Sequence, residues 1–542
     1  METFFTADEA KNQFENFRNK SWRVNQKEAI EWAMDSDKRF RIIEAGTGSG
    51  KTLISMTCGA MAGLSNYLCG TKLLQTQVAN DFPEAKSLFG RNNYSCLLDR
   101  SRTCEQCIST KSSPCHAAHR CLYKLAKKET VESKLRILSY KYFLSEIQFA
   151  GKFTGAPLTV IDEADSLESV LIGHISLQFS ERALYRLGLS DGPERKSATS
   201  KAGIEPWLKF GKIALDRSNE IIDRLENEIS SWSEISNDYQ LEQMRELDYF
   251  VHLSERCEMF IKNVDKTWEM EETERRGSIQ GMLTFRPLWI SEELAESFLW
   301  RYSDNWILLS ASFLPLPVLC KTLGIPEDEV DYKQIPSNFP VERRPINLWP
   351  VGNLSNKTMD EELPKVINGI KKILSWHKGE KGLIHSTSFK LTKQIIEGVK
   401  DKRLIYHTPY DKQDVLEDFI NSDEDWVMVS PSMDRGVDLP YDKCRFIICC
   451  KMPFFSLGDR ITSKRLYSGP IGRLWYEATA MKAIQQSVGR GFRAADDFCT
   501  SYLLDEQIER VYLQRPSLWP DDFSDAITWG RNELIECEKI AV

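Results

Sequence analysis

The run Ala45-Gly46-Thr47-Gly48-Ser49-Gly50-Lys51-Thr52 follows the apolar stretch Phe40-Arg41-Ile42-Ile43 and precedes the helix-compatible Leu53-Ile54-Ser55-Met56. The order strand, glycine-rich turn, helix constrains the fold strongly. The glycines let successive N–H groups face an anion at a helix N-terminus, Lys51 reaches the outer phosphates, and Thr52 offers a hydroxyl to magnesium. A nucleoside triphosphate on an α/β sheet is therefore predicted, with the backbone from Ala45 to Thr52 as its phosphate site.

Such a loop needs acidic partners, and Leu158-Thr159-Val160-Ile161-Asp162-Glu163-Ala164-Asp165 supplies them at the end of an apolar strand. Asp162 is expected to hold magnesium, and Glu163 to orient or deprotonate the water that attacks the γ-phosphate. Upstream, the Gln26 amide can both donate to and accept from an adenine edge. Far downstream stands Gln486-Ser487-Val488-Gly489-Arg490-Gly491-Phe492-Arg493. Arg490 and Arg493, three apart, can share one helical face and bring charge to a γ-phosphate in the transition state.

A chain of 542 residues is too long for one core and predicts about three or four units of roughly 100 to 200 residues each. The N-terminus has no basic stretch leading into an apolar core, and no apolar run reaches the ~18 residues of a membrane span. A cytoplasmic protein, or a nuclear one if eukaryotic, with no membrane association is expected. In that setting the 14 cysteines are reduced, metal-bound or buried rather than paired in disulfides. A net charge of −8 excludes a uniformly basic nucleic-acid surface but leaves room for a basic groove.

Five of the cysteines, Cys96, Cys104, Cys107, Cys115 and Cys121, crowd into residues 96–121. A Cys-x-x-Cys pair with further thiols fits tetrahedral zinc or an iron–sulfur cluster, and spacing does not separate the two. Lys86, Arg91, Arg100, Arg102, Lys111, Arg120, Lys124, Lys127 and Lys128 face only Glu84, Asp99 and Glu105 in the same region. This basic island in an acidic chain is expected to contact phosphates. Composition then shifts: from Ile213 to Glu274 acids far outnumber bases, and segments such as Ile221-Ile222-Asp223-Arg224-Leu225-Glu226 read as long amphipathic helices. Residues 8–20 also read as a polar helix.

Strand patterning resumes at Trp306-Ile307-Leu308-Leu309, leading into Ser310-Ala311-Ser312. A second α/β unit opens near Pro345, with landmarks at Gly382-Leu383-Ile384-His385-Ser386-Thr387-Ser388 and Trp426 to Asp438.

The ordered set of phosphate loop, Asp162-Glu163-Ala164-Asp165, Ser310-Ala311-Ser312 and Gln486-x-x-Gly489-Arg490-x-x-Arg493 resembles a superfamily 2 helicase motor. More narrowly it resembles the XPD and DinG family of iron–sulfur DNA helicases. The cysteine cluster precedes Asp162, Gly90-Arg91-Asn92-Asn93-Tyr94-Ser95-Cys96 is similar to that family's lead-in to a first ligand, the helical insertion precedes Ser310, and Lys451-Met452-Pro453-Phe454 follows Gly436-Val437-Asp438.

The resemblance implies an α/β fold of two RecA-like lobes, with a small metal-binding insertion and a helical Arch-like insertion in the first. The expected bounds are 1–90, 136–171 and 285–344 for lobe 1, 91–135 for the metal domain, 172–284 for the helical insertion and 345–542 for lobe 2. It also implies ATP, Mg2+ and a [4Fe–4S] cluster held by four of the five cysteines, with Cys96 first and Cys121 last. Gln26, Gly436 and Asp438 join the ATP site; Gln486 joins Arg490 and Arg493; and Thr71, Gln75, Arg91, Ser386, Ser388 and Ser432 become nucleic-acid contacts.

The implied activity is ATP-driven 5′ to 3′ movement of a monomer on single-stranded DNA. Forked duplex is parted by the metal domain, and the helical insertion is open to protein partners. An RNA-acting ATPase of the same motor class and a nucleic-acid-bound scaffold with little turnover are the competing readings. Asp165 stands where the family usually has histidine and Ser312 where it has threonine, changes that bear on the relay between ATP and nucleic acid. The short segment before the motor predicts no attached nuclease.

Overall fold

The computed structural model describes residues 3–46, 48–98, 100, 102–106, 118–199, 203–232, 238–273, 281–337, 339–432, 439–492 and 496–529. By Cα proximity the chain falls into two units. The first comprises Met1–Ile43, Lys51–Ser310 and Leu319–Lys333; the second comprises Glu44–Gly50, Ala311–Val318 and Gln334–Val542. The division runs through the phosphate loop, leaving Lys51 with the first unit and the loop glycines with the second.

Strands β1 (Phe40–Ala45), β2 (Ser65–Cys69), β3 (Lys86–Leu88), β4 (Leu135–Ser139) and β5 (Ala156–Asp162) precede the acidic insertion. Within that insertion lie β6 (Leu177–Ser180), β7 (Trp268–Thr273) and β8 (Met282–Pro287), and after it come β9 (Ser303–Ser310) and β10 (Val330–Ile335). The first large sheet has the order β10-β1-β9-β5-β2-β4-β3. Its β2, β3, β4, β5 and β9 neighbours pair in parallel. Both β1 and β2 are buried along their whole length, as expected of strands covered by helices on both faces. In an open parallel sheet ligands bind at the carboxyl ends of strands; here those ends carry the phosphate loop after β1 and Asp162 on β5.

The insertion is not helices alone. The helices Ile204–Ser230 and Asp238–Asn263 form its long pair, while β6, β8 and β7 make a separate antiparallel sheet. Trp268-Glu269-Met270-Glu271 alternates buried and half-buried positions, the period of a one-sided strand. Near the N-terminus the helix spans only Ala7–Asn12, shorter than the polar pattern of 8–20 predicts. Beyond it, side chains compete for the backbone: the Glu15 N–H donates to Glu84 Oε1 at 2.7 Å, and Asn16 Nδ2 donates to the Asp81 carbonyl at 2.8 Å.

The second unit contains β11 (Ile346–Gly352), β12 (Gly382–His385), β13 (Leu404–Tyr406), β14 (Val427–Ser430), β15 (Phe446–Cys449), β16 (Thr500–Asp505) and β17 (Ile527–Trp529). They form a parallel sheet of order β13-β14-β12-β15-β16-β11-β17. Leu383, Met428, Ile447 and Leu503 join one core cluster, and their strand neighbours Ile384, Val427, Ile448 and Leu504 join another. The two-residue period thus fills a core on each face of the sheet.

Candidate nucleotide site and nucleic-acid-facing surface

In the first unit, Lys51 opens the helix Lys51–Met61, which also carries Thr52. Asp162 ends β5 and is 3% exposed. Its Oδ1 accepts the Glu163 N–H at 2.9 Å, and its Oδ2 accepts the Tyr67 hydroxyl at 2.5 Å. The Tyr140 hydroxyl donates to the Asp162 main-chain carbonyl. Burial raises the Asp162 pKa above the usual carboxylate value, against the opposing pull of the Tyr67 hydroxyl and the Lys51 charge. Neither tyrosine was legible as a site residue, because each reads as an ordinary apolar strand or helix position.

Glu163 occupies the left-handed region with φ 54° and ψ 38°, a conformation uncommon for a side chain of its size. It opens the short turn Ala164–Ser166. Gly70, at the end of the β2 turn, approaches the same carboxylate: a Cβ there would lie 3.4 Å from Glu163 Oε2. Asp165, which stands in the family's histidine position, accepts the Ser310 hydroxyl at 2.8 Å. This bond ties the acidic turn to the end of β9. Gln26 is buried, and its Oε1 accepts the Arg23 N–H at 2.8 Å.

Thr71 is exposed and caps the helix Lys72–Asp81, accepting the Leu74 N–H. Gln75, expected as a nucleic-acid contact, faces inward: it is 2% exposed, and its Nε2 donates to Ser87 Oγ at 3.0 Å and the Leu88 carbonyl at 2.8 Å. It lies one turn past Thr71, on the face of the helix that packs on the sheet. Arg91 is exposed and holds the cysteine segment, its Nε donating to the Cys104 carbonyl at 3.1 Å. A bridge between Ser95 and Thr103 brings the two arms of this segment together. The Cys104 and Cys121 sulfurs are 3.5 Å apart, and Cys96 donates its N–H to the Arg102 carbonyl on the neighbouring arm. Cys107 and Cys115 lie outside the described residues, and the described residues alone present no group of three or more metal-ligating side chains.

In the second unit, Gly48 and Gly50 take φ of +81° and +78°, which glycine adopts at no steric penalty. Ser49 Oγ donates to the Gly46 carbonyl at 2.8 Å, closing the turn. Ser337 and Phe339 pack on the loop: a Cβ at Gly46 would lie 3.5 Å from Ser337 Cβ, and one at Gly48 would lie 2.6 Å from Phe339 Cζ. The helix Pro470–Val488 carries Gln486, whose Nε2 reaches Ser312 Oγ at a long 3.5 Å. Just beyond that helix, the Arg490 carbonyl accepts the Leu439 N–H. Thr47, Gly436, Asp438 and Arg493 lie outside the described residues.

Of the three serines expected to face nucleic acid, Ser386 is fully buried and bonded to Thr392 Oγ1 at 2.7 Å, so its hydroxyl serves the core. Ser388 is exposed and caps the helix Phe389–Val399. Ser432 is half-buried, and its carbonyl accepts Lys412 Nζ at 2.7 Å. Among the described residues no helix is long and apolar enough to cross a membrane.

The Helicase C-terminal domain family matches residues 370–519, the part of the chain that holds Gly436, Gln486 and Arg490. The ATP-dependent DNA helicase YoaA of Haemophilus influenzae is 20% identical over 91% of this chain and 92% of its own length. The ATP-dependent DNA helicase CHL1 of Saccharomyces cerevisiae is 25% identical over 22% of this chain and 16% of that protein. Among solved structures, an XPD helicase covers 94% of this chain and 100% of its own, at a TM-score of 0.57 and 15% identity. Xpd4 of S. tokodaii has a TM-score of 0.53 at 14% identity, with the same coverage of both chains. At such identities these structures speak for the fold. Two parallel seven-stranded sheets like those of XPD, a matching helicase C-terminal domain over residues 370–519 and similarity to YoaA along both chains make this protein similar to the XPD/DinG-like superfamily 2 helicases.

Proposed function

We propose that the chain hydrolyses ATP to move 5′ to 3′ along single-stranded DNA and to part forked duplex, acting as a monomer. The observation that carries this reading is the Asp162–Glu163 turn. A buried carboxylate is held by two donors at the end of β5, and the next residue is set in a left-handed conformation beside Gly70. A buried, hydrogen-bonded aspartate followed by an exposed glutamate, next to a phosphate-loop lysine, is the equipment of phosphoryl transfer.

The residues present fit a magnesium ion: Thr52 supplies a hydroxyl and Asp162 a carboxylate, both hard oxygen donors. Bound there with ATP, magnesium neutralises charge on the phosphate oxygens. Lys51 holds the outer phosphates, Glu163 orients and deprotonates the attacking water, and Arg490 and Arg493 supply positive charge as the transition state forms. Gln26 reads the adenine, and Asp165 passes the state of the site to Ser310 through their 2.8 Å bond.

The cysteine segment fits a thiolate-held metal, because Cys104 and Cys121 already converge to 3.5 Å. Family likeness favours a [4Fe–4S] cluster over zinc, with Cys96 and one of the remaining thiols completing the set of four. Such a cluster supplies cross-linking to a segment too small to bury an adequate core. Arg91, anchored on the Cys104 carbonyl, is then fixed at the surface where the strands separate. Exposed Thr71 and Ser388 are the better backbone contacts, Ser432 a third, and the acidic insertion receives protein partners or closes over the strand.

The test is the ATPase rate with single-stranded DNA or RNA, together with unwinding of forks carrying only a 5′ or only a 3′ tail. DNA stimulation with unwinding from the 5′ tail supports the proposal. RNA stimulation alone moves the chain to the RNA-acting class, and absence of turnover with either makes it a scaffold.

A further inference from the structure

From the paired placement of Tyr67 and Tyr140 we infer that Tyr67 is a positioning residue for the magnesium-binding carboxylate, one that the motif pattern does not identify. This rests on the ATPase reading above. Asp162 is the last residue of β5, and side chains at strand ends swing unless something holds them. In the sheet Tyr67 pairs with Val160, two residues before Asp162, so its ring runs along β5 and its hydroxyl meets Oδ2 at 2.5 Å. Oδ1 is turned the other way by the Glu163 N–H. With one bond on each oxygen, the carboxylate plane is fixed and the remaining lone pairs stay available for a metal or its water.

The tyrosines have different tasks. Tyr140 donates to the Asp162 carbonyl, so it fixes the main chain from which Glu163 departs in its left-handed conformation. Tyr67 acts on the carboxylate itself. Both rings are buried, at 3% and 2% exposure, and each hydroxyl donates to Asp162. Tyr67 also ties the site to the next element of the motor. Three residues on, Gly70 abuts Glu163, and exposed Thr71 follows it, so one strand end touches both catalytic acids and reaches the nucleic-acid side.

The experiment compares the parent with Tyr67→Phe and Tyr140→Phe, reading binding of a fluorescent ATP analogue across a magnesium titration, with and without EDTA, and thermal unfolding. Tyr67→Phe is expected to raise the magnesium needed for half-maximal binding by about 10- to 100-fold, the range for removing a partner behind a metal ligand. Binding in EDTA should stay at the parental level. Tyr140→Phe is expected to leave the magnesium requirement within about twofold of the parent and to lower turnover. An unchanged magnesium requirement in Tyr67→Phe overturns the inference. So does an equal loss with and without magnesium, or failure of Tyr67→Phe to fold, because either assigns the hydroxyl to stability. If the parent itself binds no nucleotide, the ATPase reading fails, an outcome separate from these.

Discussion

Replacing Gly48 by alanine separates two demands that the phosphate loop makes on the chain. At φ +81° an L-residue costs about 1–2 kcal/mol relative to glycine. The new Cβ also lies 2.6 Å from Phe339 Cζ and 3.3 and 3.4 Å from its Cε atoms. That ring cannot swing freely, because it stands edge-on to Phe492 at 5.3 Å and both belong to the core of the second unit. Pushing it off its rotamer adds about 1 kcal/mol. If the free loop relaxes, the cost reappears when ATP draws it back, so affinity should fall by roughly 30- to 150-fold for about 2–3 kcal/mol. Phe339→Leu alone should alter affinity little. Added to Gly48→Ala it should recover about fivefold, a coupling of about 1 kcal/mol between touching residues. Titration of a fluorescent ATP analogue into the four proteins measures every corner of this cycle. Parental affinity in Gly48→Ala refutes the left-handed requirement, and equal losses in the single and double variants refute the contact with Phe339.

Glu163→Gln keeps the shape of the catalytic turn and removes its base, so single-turnover hydrolysis should slow by about 10²- to 10⁴-fold with nucleotide binding retained; a parental rate would reassign the base. Cys96→Ser or Cys121→Ser should bleach anaerobically purified protein and abolish unwinding while ATP binding persists. Stoichiometric zinc in a colourless parent would exclude the iron–sulfur reading, and absence of any metal would exclude both. His174 packs on Phe298, and its Nε2 is buried without a hydrogen-bond partner among the described residues; burial, and next the Arg256 charge, lower its pKa to about 4. The unfolded chain takes up this proton below about pH 6.5 and the folded chain only near 4, so stability should fall through that window by up to about 3 kcal/mol. His174→Phe should flatten the urea midpoint between pH 7 and 4.5, and an unchanged slope would show that other groups carry the acid response.

What the sequence disclosed follows from what each residue must do locally. Phosphate binding requires glycines, a lysine and a hydroxyl at fixed spacing on one turn, and metal chemistry requires acids at a strand end; both patterns are complete within a few residues, so Lys51, Thr52, Asp162 and Glu163 stand out as candidates from the sequence alone. The two-lobed plan was legible for a similar reason: Leu383-Ile384 and Phe446-Ile447-Ile448 are continuous apolar runs, which only a strand covered on both faces tolerates. Nucleic-acid contacts were not legible, because serine, threonine and glutamine serve equally as caps, core partners and surface donors. Gln75 and Ser386 went to the core, Thr71 and Ser388 to helix N-caps at the surface. Alternation in Trp268-Glu269-Met270-Glu271 did signal a strand inside the acidic insertion, but the stronger helical period around it masked four residues of contrary evidence. Tyr67 marks the deeper limit. Its role exists only once β2 lies in register beside β5, a pairing of residues 67 and 160 that neither segment encodes alone. A positioning residue of this kind is fixed by topology and not by motif, so the sheet order, which puts β2 next to the strand carrying Asp162, is itself part of the proposed catalytic apparatus.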